Sequence, residues 1–391
     1  MTRTYLDYNA TAPLRPEAQE AMIAAMAKVG NASSVHAEGR AARALIELAR
    51  ETIAGLMGAR PRDVVFTSGA TEAANTVLTP RVGRPGSQAP LAKLLVSATE
   101  HVCVLNGHRF PAADVEILAV GRDGRVDVEA LAARVEALTA THGPASVMVA
   151  VQAANNETGV VQPIGAIERR IGPHGAILVV DMVQLAGKTP AMPRLAEGAI
   201  GILSAHKLGG PQGVGAIVYG SDAVHPENLI RGGGQERSRR GGTENILGIV
   251  GFAAAAEAAF AAAEGFAARV GGLRDRLEAD IRAASPEAVI FGEKVERLAN
   301  TSCFAVPGIA AETLVIALDL EGIAISAGSA CSSGKVAPSH VLAAMAVEPR
   351  LAKAAIRVSL GWDSTESDLH LFSTAWRRVL KHIALKGVQA A

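Results

Sequence analysis

The sequence predicts an α/β protein with a mostly parallel sheet, and three observations lead to this prediction. Short apolar runs rich in β-branched residues alternate with helix-like stretches from Arg62 to Gly220. Most of these runs lack the polar alternation of a half-exposed strand, as expected for strands that are buried on both faces. Finally, 49% of the 391 residues are apolar and only 19% are charged, which is enough to build a large core.

Seven runs supply the strands of one large domain, which we predict to span residues 15–261 with helices flanking a seven-stranded sheet. The predicted strands are 63–66, 93–96, 115–120, 146–151, 177–181, 200–204 and 216–219. The Ala-rich stretch 253–269 then predicts one long helix. After it come short apolar runs at 288–291, 300–306, 323–326 and 356–360, with helical segments at 311–320, 339–345 and 366–381. Residues 1–14 and 262–391 are therefore predicted to form a smaller α+β domain.

Charge and composition exclude several function classes. The 38 basic residues balance 38 acidic ones, so there is no electrostatic case for nucleic-acid or membrane-surface binding. No stretch reaches the roughly 20 strongly apolar residues that a membrane span needs, and the first residues form no apolar signal region. Cys103, Cys303 and Cys331 cannot all pair with one another, and their spacing fits no metal motif. We expect a cytoplasmic protein that binds no metal, membrane or nucleic acid.

Polar and ionisable residues follow five of the predicted strands. Ligands of open α/β sheets bind at the carboxyl ends of the strands, so the residues after each strand share one edge. The segments concerned are 67–72, 97–101, 152–159, 181–184 and 204–207. Their complementary chemistry predicts a binding site at this edge.

Lys207 and Asp181 are the most informative residues of these segments. A lysine at a buried sheet edge loses solvation, which lowers the pKa of its amine and frees a nucleophile for Schiff-base chemistry with an aldehyde cofactor. Asp181 ends the most apolar strand and could pair a pyridinium nitrogen, with Gln184 bonding the hydroxyl of the same ring. A surface lysine in a turn and a helix-capping aspartate are the alternative interpretations.

Two further segments could complete such a site. Residues 68–71 open a helix whose free N–H groups could bind a phosphate, although serine and threonine also serve as ordinary caps. His101 could stack on a planar ring and move protons near pH 7, or it could be structural.

The remaining candidates are a cysteine and several arginines. Cys331 lies in a run of small residues, 326–334, which suits a mobile nucleophile better than a core thiol. Cys303 lies in an apolar strand and is predicted to be core, whereas Cys103 either lines the pocket or packs behind it. The Gly/Arg-rich segment 231–243 could wrap a phosphate or a carboxylate, or bind RNA. Arg357 is a charge within an apolar strand and needs an anion.

An ordered set of motifs resembles the pyridoxal-phosphate cysteine desulfurases of the NifS/IscS type, first group, within the class V aminotransferase superfamily. The motifs are YLDYNATAP (5–13), NASSVH (31–36), TSGATEAAN (67–75), EHVCVL (100–105), NNETG (155–159), DMVQ (181–184), SAHKLGGPQGVG (204–215), GGGQERSRRGGTEN (232–245), SAGSACSSG (326–334) and RVSLG (357–361). The resemblance implies the fold type I of pyridoxal-phosphate transferases and covers nearly the whole chain.

The resemblance also implies a role for each site residue. Lys207 would hold pyridoxal 5'-phosphate covalently, His101 would stack on its ring, Asp181 would pair the ring nitrogen and Gln184 the ring hydroxyl. The phosphate would be bound by Ala70, Thr71, Ser204 and His206, with Thr243 reaching in from the second subunit of a homodimer. Asn156, which also lies beside the cofactor, would hold the substrate carboxylate with Arg357 and Asn31. Cys331, on a mobile loop at about 326–336, would accept the sulfur.

The implied reaction removes sulfur from L-cysteine, giving L-alanine and a persulfide on Cys331 for an iron–sulfur scaffold or another sulfur acceptor such as the tRNA thiolation machinery. Three alternatives stay open. A selenocysteine lyase also uses a loop cysteine, whereas another class V enzyme, such as a serine or alanine–glyoxylate aminotransferase, needs Lys207 and Asp181 but not Cys331. A scaffold or RNA-binding protein would use the Arg-rich segment and show no visible absorbance.

Overall fold

The structure, a computed structural model, describes residues 3–84, 89–328 and 338–389 of the chain. Its strands are β1 Thr4–Tyr5, β2 Val64–Thr67, β3 Val82–Gly83, β4 Lys93–Ser97, β5 Val115–Leu118, β6 Val147–Gln152, β7 Ile177–Asp181, β8 Ala199–Ser204, β9 Gly215–Tyr219, β10 His225–Pro226, β11 Val289–Ile290, β12 Thr301–Ala305, β13 Ile323–Ala324, β14 Ser326–Ala327 and β15 Ala355–Ser359. Its helices are α1 Pro16–Met26, α2 Ala37–Met57, α3 Ala70–Val77, α4 Val102–Leu105, α5 Val128–His142, α6 Ile164–Ile171, α7 Ile246–Ala261, α8 Ala263–Ala284, α9 Ala311–Leu320, α10 His340–Ala344, α11 Pro349–Lys353 and α12 Glu366–Gln389.

The large sheet has seven strands in the order β2-β9-β8-β7-β6-β4-β5. Only β9 runs antiparallel to its neighbours, so the prediction of a mostly parallel α/β sheet is confirmed. Each predicted strand of this sheet lies within two residues of an observed one. The carboxyl ends of the six parallel strands therefore meet along one edge, where the site residues were expected.

The large sheet is buried on both faces, which explains why its strands lack polar alternation. One face packs on a core that includes side chains of α2, α5, α6 and α7. The other face packs on residues of α3 and α4.

A second, smaller sheet has the order β11-β12-β15-β14 and is antiparallel. Its core is filled from α8, α9 and α12, where the Phe304 and Trp376 rings meet edge to face at 5.6 Å. The predicted single strand 323–326 was wrong: it divides into β13, which pairs with β1, and β14, which pairs with β15.

The long helix predicted for 253–269 was also wrong. The helix breaks at Ala262, and α7 and α8 meet at a bend of 69°. The bend arises because the two helices serve different cores: Phe252 of α7 packs with the large sheet, whereas Phe266 of α8 packs with the small one. The domain division into 15–261 and 1–14 with 262–391 stays a prediction.

Within the described ranges, no individual helix combines the length and apolar character that crossing a membrane requires. Taken together, the bent pair α7 and α8 meets that requirement by length and composition alone.

Candidate active site

A cavity of about 610 Å³ lies at the carboxyl edge of the large sheet. This size falls within the roughly 300–1,000 Å³ typical of small-molecule sites. It brings together most of the predicted site residues, namely Ala70, Thr71, His101, Asn156, Asp181, Gln184, Ser204, His206, Lys207 and Arg357. Residues from six separate stretches of sequence thus line one cavity.

Three predicted site residues are not part of this cavity as described. Thr243 is exposed, and Asn31 is also exposed, its Oδ1 accepting a bond from the Ser33 N–H at 2.8 Å. Cys331 lies outside the described residues. The roles assigned to these three stay predictions.

Lys207 reaches the cavity from a short 3₁₀ turn, Ala205–Lys207, that directly follows β8. Its Nζ donates to the backbone oxygens of Asn9 at 2.5 Å and Ala10 at 2.7 Å. Both carbonyls and Thr11 also line the cavity, so the segment after β1 forms one of its walls. An ammonium group at this position is held by two carbonyl acceptors.

Asp181 is the last residue of β7 and lies opposite Gln152 of β6 in the ladder. The strand end leaves the carboxylate only 8% exposed, with Oδ1 accepting the Val183 N–H at 2.9 Å. Burial raises the pKa of this carboxyl, while that hydrogen bond and the positive charge of Lys207 counter the shift. Little water would therefore surround an ion pair between Asp181 and a bound cation.

Glu100 lies next to this carboxylate and was missed by the sequence analysis. It is 1% exposed, and its Oε2 accepts the His101 N–H at 3.2 Å. Burial, together with the charge of Asp181, raises the pKa of Glu100 well above its ordinary value. Its place in the segment 97–101 and in the motif EHVCVL was the sequence signal of its position.

His101 caps the N-terminus of α4, and its Nδ1 accepts the Cys103 N–H at 3.2 Å. This bond selects the neutral tautomer with the proton on Nε2. Burial, with the positive charges of Lys207 and His340, lowers the pKa of His101 to about 4. At neutral pH the ring is thus uncharged and carries its proton on Nε2.

The predicted phosphate site is the start of α3. Gly69 precedes the helix at φ +155°, a conformation that side chains rarely adopt. The neighbouring Ser68 N–H bonds the carboxylate of Glu72 at 2.8 Å. Cys103 also lines the cavity, so the pocket interpretation of this cysteine is confirmed.

The two described cysteines are both poor nucleophiles. Burial raises the pKa of the Cys103 thiol and, in the core, of the Cys303 thiol as well. Cys303 is fully buried, as predicted for a strand of the smaller domain. Each thiol is accordingly held in its protonated form.

Arg357 enters the cavity from β15 of the smaller sheet and is 1% exposed. Its Nη1 donates to the Asn156 backbone oxygen at 3.0 Å, and its Nη2 pairs with Asp7 Oδ1 at 2.7 Å. Its Nε finds no hydrogen-bond partner among the described residues. The anion that the sequence required is supplied in part by Asp7, and a bound carboxylate would complete it.

The Gly/Arg-rich segment binds carboxylates of its own chain. Arg237 pairs with Glu47 at 3.2 Å, Arg239 with Asp222 at 2.5 Å, and Arg240 with Glu72 at 2.9 Å. Of the partners that the sequence allowed for this segment, the structure therefore supplies the carboxylate, from within the protein.

A buried ion pair anchors the same segment beneath the sheet. Arg50 and Glu236 form two bonds of 2.6 and 2.9 Å, and Glu236 also accepts the Phe66 N–H. Glu236, Arg237 and Ser238 all have positive φ, a conformation that non-glycine residues rarely adopt. The ion pair holds this strained turn in place.

Asn9 is the most highly connected residue of the site, and sequence reasoning missed it. Its backbone oxygen accepts from Lys207 and from Gln184, and its N–H donates to the Ser359 hydroxyl. Its side chain donates from Nδ2 to the Asn156 oxygen and to Thr301, and accepts at Oδ1 from Lys188 and Asn300. The only sequence signal was its place in the YLDYNATAP motif.

These groups fit pyridoxal 5'-phosphate by their chemistry. Lys207 offers an amine for the aldehyde, Asp181 a carboxylate for the ring nitrogen, and the start of α3 offers N–H groups for the phosphate. The fold and this donor set together define a pyridoxal-phosphate enzyme of fold type I.

The comparisons with known proteins agree. Residues 4–372 match the aminotransferase class-V family, and the chain belongs to that family, whose cofactor is pyridoxal 5'-phosphate. It is 40% identical to a cysteine desulfurase of Cereibacter sphaeroides, covering 94% of this chain and 93% of that protein. It is 38% identical to an IscS-like cysteine desulfurase of Mycobacterium tuberculosis, covering 93% of each. The solved NifS-like protein of Rickettsia africae superposes with a TM-score of 0.83 at 32% identity, covering 97% of this chain and 99% of that one.

Proposed function

We propose that the chain is a cysteine desulfurase that removes sulfur from L-cysteine and releases L-alanine. One observation carries the proposal: Lys207, Asp181 and His101 share a cavity with Arg357, which comes from the other sheet. That combination provides a lysine amine, a ring-nitrogen partner, a neutral hydrogen-bond donor and a carboxylate clamp. The similarity to cysteine desulfurases over most of the chain supports the same activity.

Substrate binding rests on Arg357 and Asn156. The guanidinium is fixed by the Asn156 oxygen and by Asp7, so it can hold a carboxylate without reorganising. Bidentate contact with a carboxylate suits the planar guanidinium better than a lysine ammonium. The amino group of the substrate is thereby directed toward Lys207.

When bound, pyridoxal 5'-phosphate withdraws electrons from the substrate Cα and acidifies its C–H bond. Lys207 Nζ takes that proton, and the carbonyls of Asn9 and Ala10 hold the resulting ammonium. Asp181 would keep the ring nitrogen charged, and Gln184 would bond the ring hydroxyl. Ala70, Thr71, Ser204 and His206 would hold the phosphate.

His101 acts as a hydrogen-bond donor in this scheme. Its Nδ1 is bonded to the Cys103 N–H, so the proton available to the substrate is on Nε2. To accept a proton at Nδ1, the ring would first have to give up that bond. The low pKa of His101 keeps the ring neutral, so its Nε2–H can donate a hydrogen bond to a developing anion without adding a permanent charge.

Sulfur transfer is assigned to Cys331, which lies outside the described residues. Its thiolate forms an S–S bond to the substrate sulfur while the substrate C–S bond breaks. The remaining carbon skeleton takes up a proton and leaves as alanine. Cys331 keeps the sulfur as a persulfide, which passes to an acceptor protein for iron–sulfur cluster assembly or tRNA thiolation.

The proposal includes a cytoplasmic homodimer. Large apolar side chains on α1 and nearby are exposed, among them Ile23 at 58%, Met26 at 61% and Val35 at 86%. In such a dimer, Thr243 would reach the phosphate bound by the neighbouring subunit, as the family resemblance implies. Cys103 and Cys303 are free thiols, which is consistent with a reducing compartment.

The test measures alanine and sulfide released from L-cysteine in the presence of a thiol reductant. We expect wild type to release both, and Cys331→Ala to lose sulfide release while keeping the visible absorbance of the bound cofactor. Equal activity of the two proteins would contradict the role of Cys331.

Cys103→Ala is the matched comparison, because Cys103 is the cysteine that the structure places in the cavity. If Cys103→Ala loses sulfide release and Cys331→Ala keeps it, the sulfur acceptor is Cys103. If wild type is coloured but inactive on cysteine and active on another amino acid, the chain is a different class V enzyme.

A further inference from the structure

Lys188 is a second buried lysine near the site, and the proposed mechanism does not use it. It is 7% exposed and follows β7 by seven residues. Its Nζ donates to Asn9 Oδ1 at 3.0 Å and to Gln184 Oε1 at 2.8 Å. It does not line the cofactor cavity, and its hydrogen bonds toward the site run through those two amides.

The amine of Lys188 is held by two amide oxygens. No carboxylate pairs with Lys188 in the part of the chain that the structure describes. A buried amine without a counter-ion is costly, and burial together with the charges of Lys207 and Arg357 lowers the pKa of Lys188 well below its ordinary value. Burial of this kind beside an active site is typical of functional residues.

The two bonds of Lys188 determine which way two amides face. Because Gln184 Oε1 is bonded to Lys188, its Nε2 is turned to the Asn9 backbone oxygen, at 3.0 Å, and to the cavity. Because Asn9 Oδ1 is bonded to Lys188, its Nδ2 is turned to the Asn156 oxygen and Thr301. The backbone oxygens of Asn156 and Asn9 impose the same orientations from the other side, so Lys188 completes the fixing of both amides. Without Lys188, the Gln184 amide keeps one of its two bonds.

The same contacts reach Lys207. The Asn9 backbone oxygen accepts both from Gln184 and from Lys207 Nζ, so the two lysines are joined through one residue. The backbone of Lys188 is itself fixed, because Gly187 lies so close to α7 that a Cβ there would approach the Ala259 Cβ to 2.7 Å. Lys188 is thus held at both ends, by its backbone and by the two hydrogen bonds of its amine. It can therefore help to fix the position of Lys207.

We propose that Lys188 is a positioning residue for Lys207: it fixes the amide orientations of Asn9 and Gln184, and thereby the carbonyl at which the Lys207 amine docks. The inference deepens the proposed function. It rests on that function only where turnover of cysteine is measured. The titratable or charged groups that act on this pair of lysines are Asp181, His101, His206 and Arg357.

The test is the rate at which the cofactor-free full-length protein regains visible absorbance when pyridoxal 5'-phosphate is added. In this step the Lys207 lone pair forms the bond to the aldehyde carbon, and the aldehyde oxygen leaves as water. Lys188→Met keeps an unbranched side chain of similar length but cannot donate. We expect it to slow the reaction by about tenfold to 100-fold, as small misplacements of reacting groups do.

Lys294→Met is the matched control, since Lys294 is exposed and lies outside the cavity. It should react at the wild-type rate. Thermal unfolding of each cofactor-free variant shows whether it is folded. If Lys188→Met does not fold, Lys188→Gln replaces it, because its amide ends about one bond short of the two acceptors and should also slow the reaction. If the folded variant, Lys188→Met or Lys188→Gln, reacts at the wild-type rate, the proposal is overturned.

A second readout separates positioning from simple loss of structure. In turnover of Cα-deuterated cysteine, misplacement of Lys207 should make proton removal more rate-limiting, so the isotope effect on kcat rises in Lys188→Met. An isotope effect equal to that of wild type would contradict positioning. If wild type reconstitutes normally but does not act on cysteine, the proposed function fails while the reconstitution test still decides the role of Lys188.

Discussion

Lys207 Nζ and the backbone oxygen of Asn9 lie 2.5 Å apart, although 198 residues separate them in the chain. The contact joins the turn after β8 to the segment after β1. It makes Asn9 part of the active site as well as of the link between the two sheets, since Asn9 also bonds Thr301 of β12 and Ser359 of β15. Substitutions in the first residues of the chain should therefore affect chemistry and stability together.

Asn9→Ala removes four side-chain hydrogen bonds from a residue that is 1% exposed. At about 1 kcal/mol for each bond, we expect the free energy of unfolding to fall by about 4 kcal/mol. Urea denaturation of the holoenzyme measures this change. The exposed Asn106 is the control, and Asn106→Ala should change the value by less than about 0.5 kcal/mol. Equal stabilities of the two variants would contradict the account of Asn9.

Arg357→Lys should weaken substrate binding. A lysine ammonium cannot bond the Asn156 oxygen, Asp7 and a substrate carboxylate at once in the geometry of a guanidinium. A lost bond to a charged group costs about 1.5–3 kcal/mol, so KM for cysteine should rise by about tenfold to 100-fold, with a smaller fall in kcat. Steady-state kinetics measure both constants. Arg134→Lys, in an exposed pair with Glu116, should leave both unchanged. An unaltered KM in Arg357→Lys would show that the carboxylate binds elsewhere.

Glu157 should make stability decrease as pH rises. Burial raises the pKa of Glu157 from 4.5 to about 7, against the opposing effects of the Ser339 hydroxyl and the charge of Arg357. The folded protein then holds this proton more tightly than the unfolded chain, so stability is present at low pH and declines as pH rises from about 4.5 to about 7. At about 1.4 kcal/mol for each pKa unit, the decline amounts to roughly 3 kcal/mol.

Glu157→Gln removes this titration but keeps an acceptor for Ser339. The difference in unfolding free energy between pH 5 and pH 8 should therefore be smaller in the variant by roughly 3 kcal/mol. Urea denaturation at the two pH values measures it in both proteins. The other buried groups titrate alike in both, so an identical pH dependence would show that Glu157 is ionised throughout.

Arg50→Met should strongly destabilise the protein. Arg50 and Glu236 are almost fully buried, with 4% and 2% of their side chains exposed, and removing one partner leaves an uncompensated charge. Such a loss costs about 3–5 kcal/mol. Arg237→Ala, in the exposed pair with Glu47, should cost less than about 1 kcal/mol. Thermal or urea unfolding compares the two, and similar values for both would contradict the anchoring role of the buried pair.

Much of the fold can be predicted from the sequence, because strands that are buried on both faces consist of continuous apolar runs. The edge that carries Lys207, Asp181 and His101 can be predicted as well, since parallel strands must end on the same side. The break at Ala262 cannot, because an Ala-rich stretch has high helix propensity on both sides of it. Only the presence of two separate cores determines the bend.

The hydrogen-bond network of Asn9 and Lys188 beneath the site could not be predicted from the sequence either. Asn9 bonds Asn156, which is 147 residues away in the chain, and Ser359, which is 350 residues away. No local sequence pattern reports such long-range contacts. Lys188 has the same difficulty, because a lysine after a glycine turn is usually exposed. For the arginines of 231–243, the sequence suggested an external anion. The folded protein instead supplies carboxylates from the same chain.

The most direct test of the central claim is the mass of the Cys331 peptide after the holoenzyme has reacted with L-cysteine in the absence of reductant. We expect this peptide to gain one sulfur atom while an equal amount of alanine appears, and we expect neither change in Lys207→Ala. Alanine formed without added sulfur on Cys331, or sulfur found on Cys103 instead, would contradict that claim.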